Sequence, residues 1–182
     1  MFNIRKLQEQ ALLEAIGRKS DVATATEIVY GPNSEAKSED DPAWVASAMR
    51  RLEERFDAVT VKQIRMDCQC GYGMDEKLAL LKRLKSKSSN MEEFASLEEA
   101  TAAGLSYRDG QLYLQFEFCP CPMLAQVQKL NSMTWCQCSA GYSKVLFEKA
   151  FDCEVDVTML KSIKCGDEVC LMTIAVPDSV WE

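Results

Sequence analysis

Along the first hundred residues the apolar positions recur at helical spacing. Phe2, Leu7, Ala11 and Ala15, with Leu12 and Ile16 one position round, form one stripe between Phe2 and Arg18, which predicts an amphipathic helix in need of a partner face. From Gly31 to Asp41, GPNSEAKSEDD is polar, acidic and rich in turn formers, and predicts a loop. Asp41-Pro42 then supplies an acidic cap and a proline at the first helical position, so helix is expected to about Phe56. A further stretch, re-capped at Asp57, carries Val59, Ile64 and Met66. The glycines of GYGMDEKLALLKRL break helix, and Asp75 restarts it with acid at the N-terminus and base at the far end. Asn90 caps one more helical stretch through Met91, Phe94, Leu97 and Ala100, ended by Gly104.

At Leu105 the period changes. In SYRDGQLYLQFEF an Asp-Gly turn precedes strict alternation, with Leu112, Leu114, Phe116 and Phe118 on one face and Gln111, Gln115 and Glu117 on the other, the pattern of a half-buried strand. A helix is expected from about Ser139 to Phe151, then a strand with Val155, Val157, Met159 and Ile163. A turn at KCGDEV leads to a last strand with Cys170, Met172, Ile174 and Val176. The predicted fold class is α+β: a helical region, residues 1–104, packed on a small antiparallel sheet with one helix, residues 105–182, as one compact unit.

Composition changes this picture mainly by exclusion. With 182 residues, 47% apolar and 27% charged, the chain has the make-up of an ordinary globular protein, and a net charge of −7 argues against nucleic acid and anionic membranes as partners. The charged start lacks an apolar leader core, and no run approaches the ~18 apolar residues of a membrane span, so a cytoplasmic protein is expected. There is no histidine, which removes Ser-His-Asp and Cys-His nucleophile pairs and every zinc site that needs an imidazole. Cysteine, by contrast, occurs nine times, an odd and high count that in a reducing compartment points to metal, redox chemistry or buried thiols rather than disulfides.

Six of the nine form Cys-x-Cys pairs: Cys68/Cys70, Cys119/Cys121 and Cys136/Cys138. Two sulfurs at this spacing face one ion only where the backbone turns. Gly71 and Gly73, the prolines of CPCP, and Ser139 with Gly141 mark such turns. A helix starting beyond Cys136/Cys138 aims its N-terminal amides at that pair, which predicts a lowered thiol pKa there, and the first pair has the same layout. Cys165 and Cys170 flank the last turn, and alternation turns Cys170 inward with Met172 and Ile174. A cluster of Cys136, Cys138, Cys165 and Cys170 is sterically feasible as a zinc site. Cys68, Cys70, Cys119, Cys121, Tyr72 and Tyr142 are candidates for a reactive thiol or a ligand contact. Buried thiols and core tyrosines are the competing reading, and Cys153 is expected to pack.

The stretch CQCSAGYSKVLFEKAFDCEVDVTMLKSIKCGDEVCLMTI resembles the 4-vinyl reductase-type domain, a small-molecule-binding module of bacterial sensors and chlorophyll-synthesis proteins. The likeness rests on a cysteine five residues before Gly141-Tyr142, the helix, the strand, and Gly166 four residues before Cys170. It implies a zinc held by cysteines placed like Cys136 and Cys170 and by ligands on the penultimate strand, and it implies a homodimer. The strand positions here are Met159 and Ser162, neither a good ligand, and Cys138 and Cys165 are the sulfurs that would replace them. A looser likeness, carried by FEFCPCPML and CGDEVC, is to the L-2-amino-thiazoline-4-carboxylic acid hydrolase-like bacterial families. The expected function is a small-molecule- or metal-binding protein whose thiolates hold zinc or line a pocket between the helical half and the sheet. The rival is a thiol-dependent hydrolase or redox enzyme using Cys68/Cys70 or Cys119/Cys121.

Overall fold

The computed structural model describes residues 3–182, so Phe2 of the first predicted stripe lies outside them. The fold is α+β, with helices and one four-stranded antiparallel sheet. The chain divides into two compact units that interleave in sequence rather than parting at Gly104. The first holds residues 1–70, 119–141 and 164–166, and the second residues 71–118, 142–163 and 167–182.

In the first unit, α1 (Ile4–Lys19) starts at Asn3, whose side chain accepts the Lys6 amide, and buries Leu12, Ala15 and Ile16 along the predicted stripe. Unanticipated by the pattern, α2 (Val22–Tyr30) follows directly. Its sequence VATATEIVY is β-branched and reads poorly as helix, yet Asp21 caps it and Ala25, Ile28 and Val29 bury one side. Over Pro32–Ser38 the acidic loop forms 3-10 turns interrupted by left-handed Asn33 (φ 56) and Ser34 (φ 60), and α3 (Asp41–Arg55) begins where Asp40 accepts the Ala43 amide. α4 (Ala58–Met66), capped by Asp57, buries Val61, Ile64 and Arg65, whereas Val59 faces solvent at 68% exposure. The buried set repeats at helical spacing, and Val59 falls off that face.

In the second unit, α5 (Met74–Ser86) begins one residue before Asp75, after Gly73 in the left-handed region (φ 67). The helix expected from Asn90 to Gly104 is two: α6 (Met91–Ser96) and α7 (Glu98–Ala102), parted by an extended Leu97 (φ −61, ψ 140). Strands β1 (Leu105–Arg108), β2 (Gln111–Phe116), β3 (Asp156–Lys161) and β4 (Cys170–Ala175) run in the order β1-β2-β4-β3. Registry aligns Leu112 and Val157 on either side of Ile174, and Leu114 and Met159 on either side of Met172, which forms the buried face. Helix α8 (Gln137–Phe151) supplies Phe147 and Phe151 to this core, where Phe151 meets Phe94 and Trp181 edge-on.

The strand ends differ from the pattern. β2 stops at Phe116, so Phe118 is 64% exposed instead of sharing the buried face. A bulge between Met159 and Lys161 ends β3, and Ile163 and Cys165 fall in a 3-10 turn. Asp167 accepts the Ser162 amide at 2.8 Å, which closes the predicted KCGDEV turn around Gly166 at φ 107. Val176 lies past the end of β4. Among the described residues no helix is long and apolar enough to cross a membrane.

Candidate functional site

Seven of the nine cysteines belong to the first unit, all but Cys153 and Cys170, and all nine are reduced thiols. Their local setting follows from two close approaches. Helix α4 ends at Met66 and delivers Cys68 inward, where its Sγ donates to the Ile64 carbonyl at 3.1 Å. Gly141, in the first turns of α8, sits directly against the Met66 carbonyl, and a Cβ at this position would overlap it. The contact brings the start of α8, with Cys136 and Cys138, onto the end of α4. Cys138 has Arg65, Cys121, Cys68 and Cys136 as electrostatic neighbours.

Arg65 is the residue that pattern reading missed. It is fully buried, although an arginine almost never is unless paired. Its Nη2 donates to the Trp135 carbonyl at 2.8 Å, and its Nη1 reaches Gln8 Oε1 at 3.4 Å. Its guanidinium lies 4.2 Å over the Trp135 ring, while Nε has no hydrogen-bond partner among the described residues. Gln8, itself buried, also donates to the Cys68 carbonyl at 3.3 Å and so ties α1 to the thiols. The signal lay in the spacing of Val61, Ile64, Arg65 and Cys68, which puts the arginine on the apolar face of its helix.

A comparison inside the same unit shows what Arg65 lacks. Trp44 and Trp135 meet edge-on, centroids 5.6 Å apart, and each carries an arginine on its face, Arg5 at 4.1 Å from Trp44 and Arg65 at 4.2 Å from Trp135. Arg5 pairs with Glu9 at 2.6 Å and Asp41 at 3.1 Å. Arg65 forms no salt bridge among the described residues, and its partners are neutral acceptors, a ring and thiols.

Two of the thiols beside it are raised by burial. Burial pushes Cys138 up to about 12, against the pull of Arg65. Burial likewise raises Cys68, with Arg65 opposing. The expectation of a lowered pKa is therefore corrected for Cys138. α8 starts at Gln137 rather than Ser139, so Cys138 lies in its first turn, but loss of water outweighs both the helix terminus and the guanidinium. As the side chains stand, no group of three Cys, Asp or Glu among the described residues is arranged to hold a metal ion.

The other predicted residues are distributed as follows. Cys70, Cys119, Cys121 and Cys165 are half-buried in the first unit. Cys170 is buried on β4 of the second unit, opposite Phe116, with its sulfur inward as expected. Burial raises the pKa of the half-buried Cys153. Tyr72 and Tyr142 are partners rather than core aromatics: Tyr142 Oη donates to the Tyr72 carbonyl at 2.8 Å, and the Tyr72 side chain is exposed.

An open cavity of about 440 Å³ also lies in the first unit, walled by Phe56, Val61 and Met133 and edged by Glu53, Lys62, Thr134 and Gln137. Gln137 is the middle residue of the second CQC. Its flanking cysteines are buried while its own side chain lines this cavity.

No curated protein and no solved structure matches the chain. Residues 1–181 match the model described as "Family of unknown function (DUF6144)", and the chain belongs to that family.

Proposed function

We propose that the first unit binds a thiophilic metal ion, zinc foremost, through thiolates drawn from Cys68, Cys121, Cys136 and Cys138, with Arg65 as the buried counter-charge. The observation that carries this reading is the fully buried Arg65, which lacks the carboxylates that Arg5 has and instead neighbours the thiols of Cys68 and Cys138. An arginine cannot shed its proton, and an isolated buried charge is costly, so a negative group at this position would stabilise the fold. Cys138, pushed up to about 12 by burial, does not supply it by itself. A bound metal does, because ligation displaces the thiol proton, and four thiolates around a divalent ion leave net negative charge for Arg65 to offset.

Ligation would draw sulfurs together that now stand apart. Cys121, half-buried between Pro120 and Pro122 on a segment outside helix and strand, is the one best placed to move. Cys136 is also the cysteine whose counterpart holds zinc in the 4-vinyl reductase-type resemblance, whereas Cys165 and Cys170 give way here to Cys68 and Cys121. The raised pKa values of Cys68 and Cys138 disfavour either as the nucleophile of a thiol enzyme.

The test is metal uptake by protein reduced and stripped of metal. About one zinc per chain, with release of protons and a thiolate-to-metal charge-transfer band on cobalt substitution, is the expected result. Cys138→Ser and Cys121→Ser should each weaken it at least about tenfold. Uptake below about 0.2 ion per chain, or uptake indifferent to both substitutions, overturns the proposal.

A further inference from the structure

We propose that the cavity edged by Glu53, Lys62 and Gln137 is a second binding site of the first unit, for a free α-amino acid with an apolar side chain. Its volume of about 440 Å³ falls within the ~300–1,000 Å³ of small-molecule sites. Three features of its lining specify the ligand class.

The first is an unused acceptor. Gln137 Nε2 is engaged with the Met133 carbonyl at 3.4 Å, but its Oε1 is shielded from water and has no hydrogen-bond partner among the described residues. A shielded acceptor left without a donor is unfavourable, and a turn of the Gln137 amide toward the cavity it lines would let a ligand ammonium N–H satisfy it. The second is a fixed carboxylate. Glu53 Oε1 accepts from Ser132 Oγ at 2.7 Å and from the Thr134 hydroxyl, while Oε2 forms no ion pair among the described residues and can face a ligand cation. The third is Lys62 on α4, which forms no ion pair among the described residues and offers a ligand carboxylate a cation. Phe56, Val61 and Met133 of the same lining suit a hydrocarbon side chain. A zwitterion with an apolar tail meets all three, whereas a purely anionic or purely cationic ligand leaves one charged edge opposed or unused.

The site uses no cysteine, so it stands or falls apart from the metal proposal. The experiment titrates metal-stripped protein with L-leucine, N-acetyl-L-leucine and L-leucinol, followed by amide shifts in nuclear magnetic resonance. Saturable shifts at residues 133–137 and 62 with L-leucine are expected. Binding should fall at least about tenfold for the probe without an ammonium and for the probe without a carboxylate. Lys62→Met, an exposed position, should lose affinity for L-leucine but not for L-leucinol. The idea is overturned if L-leucine produces no saturable shift, if the three probes bind alike, or if Lys62→Met leaves L-leucine affinity unchanged.

Discussion

Arg65 donates a 2.8 Å hydrogen bond to the carbonyl of Trp135 and lies 4.2 Å over the ring of the same residue. One side chain thus fixes both the backbone and the ring of the segment that leads into the second CQC. Trp135 precedes Cys136 directly, so the arginine of α4 determines where the thiols of α8 begin.

Replacing Arg65 by methionine separates a structural from an electrostatic role. Methionine keeps the length of the side chain and fills the space, but removes the charge. If the charge is uncompensated in the metal-free protein, its removal should change unfolding free energy by no more than about 1 kcal/mol in the presence of a chelator. Zinc affinity should nevertheless fall at least about tenfold, because the thiolates lose their counter-charge. A purely structural arginine predicts the reverse: a loss of about 2–3 kcal/mol without metal, and zinc affinity unaltered. Urea unfolding with chelator and with zinc distinguishes the two.

The pH dependence of the metal-free protein carries its own sign. Cys138 titrates at about 12 in the folded chain against an ordinary value of 9.0, so between these the folded state holds a proton that the unfolded state has released. Stability from this thiol is complete below pH 9.0 and declines above it, by about 1.4 kcal/mol per pH unit, until the folded thiol also ionises. Cys68, shifted in the same direction by burial, steepens the decline. Urea unfolding between pH 8 and pH 11 measures the slope, and Cys138→Ala should flatten it. With zinc bound the same thiols are already deprotonated, and the decline should be absent.

Gly141 is required by closeness, not by backbone twist. Its position admits no Cβ because the Met66 carbonyl occupies that space, and backbone cannot yield as a flexible side-chain tip would. Gly141→Ala should therefore destabilise by about 3 kcal/mol or more, although alanine favours helix at an ordinary site. Gly17, in the last turn of α1, has nothing within 4 Å of a built Cβ and is the control. Gly17→Ala should stabilise by up to about 1 kcal/mol. Thermal unfolding of the pair compares the two directly.

Much of this fold was legible because the chain announces its periods. The stripe of Leu12 and Ile16, the caps at Asp57 and Asn90, and the alternation of Leu112 and Leu114 each led to the element observed. What escaped had competing local signals. VATATEIVY carries strand-like residues, and only the Asp21 cap and burial of Ile28 and Val29 make it helix. Leu97 fits the apolar period on both sides, so nothing local marked its extended backbone. At the site, cysteine spacing drew attention to sulfurs alone. The neighbours of Cys138 come from α4 and from the CPCP segment, and which cysteines share a compact unit depends on a tertiary path that interleaves residues 1–70 with 119–141. Arg65 falls on the apolar period of α4, yet arginine is so commonly a surface residue that its type argues against the buried place it takes.

Alkylation kinetics discriminate the metal reading from a thiol-enzyme reading. Thiolate is the reactive form, and a thiol with a pKa near 12 holds only about one part in 10⁵ as thiolate at pH 7. Cys138 and Cys68, buried as well as protonated, should be the slowest to react with iodoacetamide, at rates set by opening of the fold. The half-buried Cys70, Cys119, Cys121 and Cys165 should react before them. Zinc should then protect Cys121 specifically, since it is the accessible member of the proposed ligand set. Mass spectrometry of digests taken at intervals, with and without zinc, resolves each site. A cysteine of the Cys68/Cys70 or Cys119/Cys121 pair that reacts far faster than a free thiol at neutral pH, and is indifferent to zinc, would transfer the function to nucleophilic chemistry. Cys121 slowed by zinc, with Cys138 slow throughout, would place the metal where Arg65 has charge to offset.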